Sequence, residues 1–283
     1  MKILIVGGTS SLGCALKPVL SEIGEVITAG RKECDIRLDL NDPIEKITLP
    51  NNIDAVIHTA AHFGGKTVEE ILEAENVNVL GTLKLCQAAV QAKAKHFILI
   101  SSMFSCLNKN SEYYNIYALS KKHSEEIAHF YCSLHSLPLT ILRPSQIYGN
   151  KENFRRHQPF FYMMIDKAEN GEDITIYGSN DALRNYIYID DLVKIIEKVV
   201  QNKIEGIYSC MYPIDLTYSQ IAKAAILAFN SKGRIFFLKN KPDIPNNIFE
   251  KDGSLYKKIG FYPQISIKDG MKKIILYRKS VHL

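Results

Sequence analysis

A tyrosine and a lysine four residues apart, Tyr117 and Lys121 in Tyr117-Ala118-Leu119-Ser120-Lys121, carry the first chemistry in this chain. At that spacing two side chains share one face of a helix. A free phenol titrates near 10, too high for ready proton exchange at neutral pH. An ammonium beside it favours the phenolate and is expected to lower that value. Such a tyrosine acts as general acid or base at a carbonyl or hydroxyl. Fifteen residues upstream, Ser101-Ser102 closes the apolar run His96-Phe97-Ile98-Leu99-Ile100. Ser102 can bond the same substrate oxygen and hold it in line. A Tyr/Lys pair on a helix is more often surface decoration, and the elements around it decide otherwise.

Those elements begin at the first residue. Lys2-Ile3-Leu4-Ile5-Val6 is a β-rich run that enters Gly7-Gly8-Thr9-Ser10-Ser11-Leu12-Gly13, and a helical pattern follows. Strand, glycine turn and helix in that order form a dinucleotide fingerprint, with the pyrophosphate at the helix N-terminus. Gly7 permits the tight turn, the small residues Gly8, Thr9 and Ser10 allow close approach, and Gly13 lets the helix lie on the sheet. The pattern G-x-x-G-x-x-G places glycine where the chain has Ser10, a residue able to bond a phosphate itself. The competing reading is a glycine-rich turn that binds nothing.

Further strands are expected at Glu25-Val26-Ile27-Thr28-Ala29, at Asp54-Ala55-Val56-Ile57-His58 and at Pro138-Leu139-Thr140-Ile141-Leu142, with one long helix from about Thr67 to Ala92. Gly30-Arg31-Lys32 follows the second strand, where an NAD-binding unit carries an acid for the ribose 2′-hydroxyl. A cationic fork there suits a 2′-phosphate, so Arg31 points to NADP over NAD. Asp39 is a candidate acceptor for the adenine amino group, with Leu40 next to it as a further cofactor contact. Thr59-Ala60-Ala61 ends the third expected strand with small residues past which a cofactor can run.

Composition narrows the class. With 283 residues, 46% hydrophobic and 23% charged, the chain suits one large α/β domain, or a dinucleotide domain with a smaller cap. A net charge of +5 without a Lys/Arg block gives no argument for nucleic acid. No apolar stretch is long enough to span a membrane, and the start reads as a strand, not a signal peptide. The six cysteines show no C-x-x-C and no zinc spacing, which fits buried free thiols in a reducing cytoplasm and no metal site.

In their order and spacing these residues resemble the extended short-chain dehydrogenase/reductase family, specifically its nucleotide-sugar epimerases, dehydratases and reductases. Besides the glycine turn, the Thr59 segment, Ser102 and Tyr117/Lys121, the resemblance runs through Asn78-Val79-Leu80-Gly81-Thr82, Arg143-Pro144-Ser145-Gln146-Ile147-Tyr148-Gly149 and Arg184-Asn185-Tyr186-Ile187-Tyr188-Ile189-Asp190-Asp191. It implies a doubly wound parallel Rossmann sheet over 1–149, rejoined by 186–211, and a nucleotide-sugar domain from 150–185 and 212–283. It implies Tyr117 as acid/base, Lys121 as its partner and a ribose ligand, and Ser102 as donor to the substrate oxygen. Asn78 and Pro144 fall among the cofactor contacts. Met103, Gln146, His157 and Arg184 fall on the substrate side, with Gln146 and Arg184 near its diphosphate. A homodimer through 67–92 and 113–135 is implied as well.

Departures from the family narrow the reaction. Met103-Phe104 stands where the 4,6-dehydratases carry Asp-Glu, which argues against dehydration. Phe104 also stands where a 3,5-epimerase/reductase needs a cysteine, so His157 reads better as a loop residue. Asn185 replaces the usual aspartate, and the Ser102–Tyr117 gap is short. Reduction of a nucleotide-linked 4-keto-6-deoxyhexose with NADPH is the first expectation. A 4-epimerase with tightly held NAD is the second, and a catalytically idle dinucleotide-binding scaffold the third.

Overall fold

The computed structural model describes residues 1–281. Two compact units are present, one made of 1–144, 193–210 and 252–261, the other of 145–192, 211–251 and the chain from Tyr262 onward.

The first unit is built on a seven-stranded sheet in which every neighbouring pair is parallel. Its strands are β1 (Lys2–Val6), β2 (Glu25–Gly30), β3 (Ile36–Arg37), β4 (Ala55–His58), β5 (Phe97–Ile100), β6 (Leu139–Pro144) and the segment Gly206–Cys210. From one edge the order is Gly206–Cys210, β6, β5, β4, β1, β2, β3. This is the expected α/β Rossmann-like sheet. Parallel strands covered on both faces need continuous apolar sequence, and Ile3, Leu4, Ile5, Val56, Ile57, Phe97 and Ile98 are all fully buried. The strand order reverses between β1 and β4, the place where open α/β sheets take their ligands. There Thr59 closes onto β1, its N–H bonding Val6 O at 2.8 Å.

Helices α1 (Ser11–Ser21), α2 (Val68–Glu75), α3 (Gly81–Gln91) and α4 (Ile116–Leu134) belong to this unit. The single helix expected from about Thr67 to Ala92 is interrupted. After α2, which opens with a Thr67/Glu70 capping box, Asn76–Leu80 forms a π turn before α3 begins. Such bulges concentrate at functional sites, and this one turns Asn78 inward. Hydrophobic periodicity does not register one inserted residue.

The second unit has three two-stranded ladders. Gln146–Tyr148 pairs parallel with Tyr186–Tyr188, Ile174–Tyr177 pairs parallel with Ile235–Leu238, and Leu183–Arg184 pairs antiparallel with Leu216–Thr217. Its core is aromatic. Tyr148 meets Phe161 at 5.0 Å and Tyr188 at 5.1 Å between ring centroids, and the Tyr162 hydroxyl donates to Gly149 O at 2.7 Å. Strand Ile235–Leu238 lies in this unit, and helix Ser254–Ile259 in the first. All six cysteines are free thiols; Cys86, Cys132 and Cys210 are buried, while Cys14 and Cys106 are exposed. Among the described residues no helix is long and apolar enough to cross a membrane.

Candidate active site

The glycine turn is closed by contacts that tolerate no side chain. Gly7 has φ +85°, and a Cβ on it would sit 2.6 Å from Ala60 N. A Cβ on Gly13 would sit 2.3 Å from Gly7 O, so α1 packs directly on the turn. Ser10 does local work. Its hydroxyl caps α1 by accepting from Gly13 N at 2.9 Å and meets Thr59 Oγ1 at 2.9 Å. The Thr59 hydroxyl hydrogen reaches Val6 O and Gly7 O at 3.0 Å each. Gly7, Ser10, Gly13, Thr59 and Ala60 therefore come together at the sheet's reversal, with Thr9 exposed on the turn and Ser11 and Leu12 opening the helix. This backbone-lined cradle at a helix N-terminus fits a dinucleotide pyrophosphate.

Arg31 and Lys32 are exposed after β2. The nearby Asp35 carboxylate is turned back onto Thr28, accepting from its N–H at 2.8 Å and its hydroxyl at 2.7 Å. Those bonds hold Asp35 below the usual carboxylate range. Asp39 accepts from Asn41 N at 3.1 Å, and Leu40 is buried against Gly81.

After β5 and on α4 the chain brings Ser102, Tyr117 and Lys121 together. Ser102 caps the 3-10 turn Met103–Cys106, its Oγ accepting from Phe104 N at 3.2 Å. Asn115 caps α4 by accepting from Ala118 N at 3.0 Å, which sets Tyr117 in the first turn. The Ser102 hydroxyl lies near enough to the Tyr117 phenol to favour its charged form. Lys121 lies one turn further, 3% exposed, with Nζ donating to Ile100 O at 2.9 Å and 5.9 Å from the Tyr117 ring centroid.

The electrostatics correct one expectation. Tyr117 is not drawn down by its lysine. Burial pushes it up to about 12, and only the Ser102 hydroxyl acts the other way. Lys121 spends a proton on a backbone carbonyl and faces the ring, not the oxygen. Burial lowers Lys121 itself to about 8, opposed by the Glu125 carboxylate. His58, ending β4, is held down to about 3 by burial and by Lys121.

Asn78, reached through the π turn, fixes the loop after Ala61. Its amide donates to His62 O at 2.7 Å and Ser120 Oγ at 2.9 Å, and its carbonyl accepts from His62 N at 2.7 Å. The loop carries Phe63, which stacks on Tyr117 with 4.7 Å between centroids and 13° between planes. Phe104 meets the same ring edge-on at 6.3 Å, and Met103 is buried beside it. The phenol thus stands between apolar walls, with no carboxylate from 103 or 104. Pro144, ending β6, is buried.

Gln146, His157 and Arg184 belong to the second unit. The Gln146 amide donates to Gln158 Oε1 at 2.9 Å, and His157 is exposed. Arg184 is 2% exposed, and its guanidinium reaches Tyr218 OH at 2.8 Å, Leu183 O at 2.7 Å and Pro245 O at 2.8 Å. A planar fork suits backbone carbonyls as well as phosphate. Asn185 gains from replacing an acid, because its amide donates to Tyr212 O at 2.9 Å and Asp215 Oδ1 at 2.7 Å.

Three residues at the triad escape sequence reasoning: Phe63, Asn115 and Glu125. Asn115 alone left a signal, as a cap residue opening a helical pattern. The partners of the other two are distant in sequence.

Comparison with known proteins gives a family. The model of the NAD dependent epimerase/dehydratase family matches residues 3–210. A CDP-abequose synthase of Salmonella typhimurium is 25% identical over 162 residues, 57% of this chain and 53% of that protein. The chain thus spans about half the length of that relative. A CDP-abequose synthase of Salmonella muenchen is 29% identical over 225 residues, 76% and 74% of the two chains. A UDP-glucose 4-epimerase of Thermotoga maritima, solved with UDP-glucose, superposes over all of both chains with TM-score 0.80 at 21% identity, a likeness of fold.

Proposed function

The chain belongs to the NAD dependent epimerase/dehydratase family, and on that premise we propose that it reduces the C4 carbonyl of a nucleotide-linked 4-keto-6-deoxyhexose with NADPH. The pairing of Ser102 with Tyr117, the phenol set between the Phe63 and Phe104 rings, carries this reading. In this reading one substrate oxygen meets both the phenol and the Ser102 hydroxyl. Bound in the glycine cradle, the dinucleotide supplies a hydride to carbon.

The residues then do the following. Gly7, Ser11, Leu12 and Gly13 hold the pyrophosphate, Thr59 to Ala61 line its path, and Lys121 bonds the ribose. Ser102 steadies charge developing on the substrate oxygen. Tyr117 donates the proton. A phenol pushed up to about 12 is fully protonated at neutral pH, which suits an acid more than a base. Phe63, Phe104 and Met103 keep water from the phenol. Elimination of water needs a free carboxyl pair near Ser102, and Glu125, a buried carboxylate in that neighbourhood, is committed to Arg143, Ser101 and Ser105.

Exposed Arg31 and Lys32, with Asp35 turned away onto Thr28, support NADPH over NADH. The second unit is assigned the nucleotide-sugar, with Gln146 and exposed His157 as its polar contacts, while Arg184 braces that unit from within. Exposed Val68, Leu72, Leu80, Phe130 and Leu134 on the helices before β5 and β6 support a homodimer.

The test mixes the protein and NADPH with a panel of freshly prepared nucleotide-4-keto-6-deoxyhexoses. Stoichiometric loss of nicotinamide absorbance with one of them is the expected result. No loss with any of them, together with NMR-detected exchange of a nucleotide-hexose with its 4-epimer, replaces the reading with the epimerase that the fold likeness also allows.

A further inference from the structure

We propose that Glu125 is a positioning residue of the triad: its carboxylate, one helical turn beyond Lys121, ties the turn that carries Ser102 to the helix that carries Tyr117 and Lys121. The proposal rests on the reading of those three residues as the reacting groups.

Glu125 lies on α4, one turn after Lys121 and two after Tyr117, and is 5% exposed. Four donors converge on its carboxylate. The Ser105 hydroxyl donates at 2.7 Å, the Ser101 hydroxyl also donates to Oε1, and Arg143 of β6 donates through Nε at 3.0 and 3.1 Å and through its terminal nitrogen at 2.5 Å. Ser101 immediately precedes Ser102, and Ser105 closes the same turn by donating its N–H to Ser102 O at 3.0 Å, with its hydroxyl hydrogen shared between Glu125 and Ser102 O. Both flanks of Ser102 are thereby fastened to the helix that carries its partner. A one-ångström error in such a constellation is costly in rate, and a buried anchor of this kind removes the freedom to make it.

The second action is electrostatic. Lys121 faces Tyr117 and Glu125 from its own helix, neutral His58 from β4 and the Ile100 carbonyl from β5, with the Arg143 charge lying across Glu125. Among these only Glu125 is a carboxylate. Burial drives Lys121 down to about 8, and Glu125 is the group that works against it. Without that charge the lysine gives up part of its protonation near neutral pH, and its ribose contact weakens.

The sign of the test follows. If turnover needs the ammonium, kcat falls as pH rises through the Lys121 value. Removing the carboxylate lowers that value and moves the alkaline limb to lower pH. The experiment compares wild type, Glu125→Gln and Glu125→Asp in the NADPH-dependent assay across pH, with NMR titration of isotopically labelled lysines as the second readout. Glu125→Gln is expected to move both the limb and the Lys121 titration down by about one unit. Glu125→Asp is expected to return both toward wild type while kcat stays roughly tenfold low, because the shorter side chain keeps the charge but not all the bonds.

A folded Glu125→Gln whose limb and Lys121 titration match wild type overturns the electrostatic half. Should Glu125→Gln fail to fold, Ser101→Ala with Ser105→Ala leaves the Glu125–Arg143 pair intact and frees only the turn. A roughly tenfold fall in kcat at constant KM is then expected, and an unchanged kcat overturns the positioning half. Tyr117→Phe runs beside them. An active Tyr117→Phe condemns the reading of the triad, whereas the lysine titration judges Glu125 independently.

Discussion

His58 makes the folded protein acid-sensitive by an amount that can be worked out. Its Nε2 lies 3.1 Å from Thr82 Oγ1, and the Thr82 hydroxyl hydrogen is already given to Asn78 O at 2.6 Å. Nε2 must therefore donate, which leaves Nδ1 a bare lone pair, buried and without a hydrogen-bond partner. Protonating Nδ1 would bury a second cation near Lys121. The folded value falls to about 3 from the ordinary 6.5. A base with a depressed value contributes stability that is fully present above 6.5 and lost as pH falls toward 3. At pH 4 the unfolded imidazole holds its proton and the folded one does not, a difference of about 3 kcal/mol at 1.36 kcal/mol per unit. His58→Gln keeps a donor to Thr82 and removes the titration. Urea unfolding of both proteins, followed by circular dichroism between about pH 4 and pH 7, should show the wild type losing about 3 kcal/mol more than the variant. His96, lowered to about 4, titrates in both and cancels. Parallel stability curves would refute the reasoning.

Three further outcomes are expected. Gly13→Val places side-chain carbon against Gly7 O and Gly8 O; it should cost about 1–3 kcal/mol of stability and weaken NADPH binding roughly tenfold or more, read by calorimetry. Arg31→Ala should lower the NADPH-over-NADH preference in kcat/KM by about 10- to 100-fold, the worth of a charged hydrogen bond to phosphate, and an unchanged ratio would remove Arg31 from the cofactor. Phe130→Glu with Leu134→Glu, at two side chains 65% and 66% exposed, should convert a dimer to monomer in sedimentation; a wild-type monomer would contradict the assignment of that surface.

Much of the fold is legible in the sequence because its signals are local. The β1 turn, the buried strands and the Tyr117/Lys121 spacing each sit within a few residues of the feature they predict. What the sequence hides is non-local. Glu125 draws its partners from 18 to 24 residues away, so nothing in its neighbourhood marks it. Phe63 reaches Tyr117 only because a π turn aims Asn78 at the loop between them, and that turn breaks a helix whose periodicity reads as continuous. Arg184 shows how a residue type carries two meanings: a guanidinium geometry that suits a diphosphate also satisfies Leu183 O and Pro245 O. The lysine beside Tyr117 was expected to lower the phenol, yet burial outweighs it, since a charge committed to Ile100 O does little for an oxygen elsewhere.

Transfer of a label from cofactor to sugar tests the central claim most directly. The protein is incubated with NADPH carrying deuterium at both positions of nicotinamide C4 and with the 4-keto-6-deoxyhexose nucleotide that the absorbance panel selects. Reduction by this triad predicts one deuterium at C4 of a single product epimer, in step with NADPH oxidised, and none with Tyr117→Phe. Product formed without deuterium at C4, or undiminished transfer by Tyr117→Phe, would contradict it.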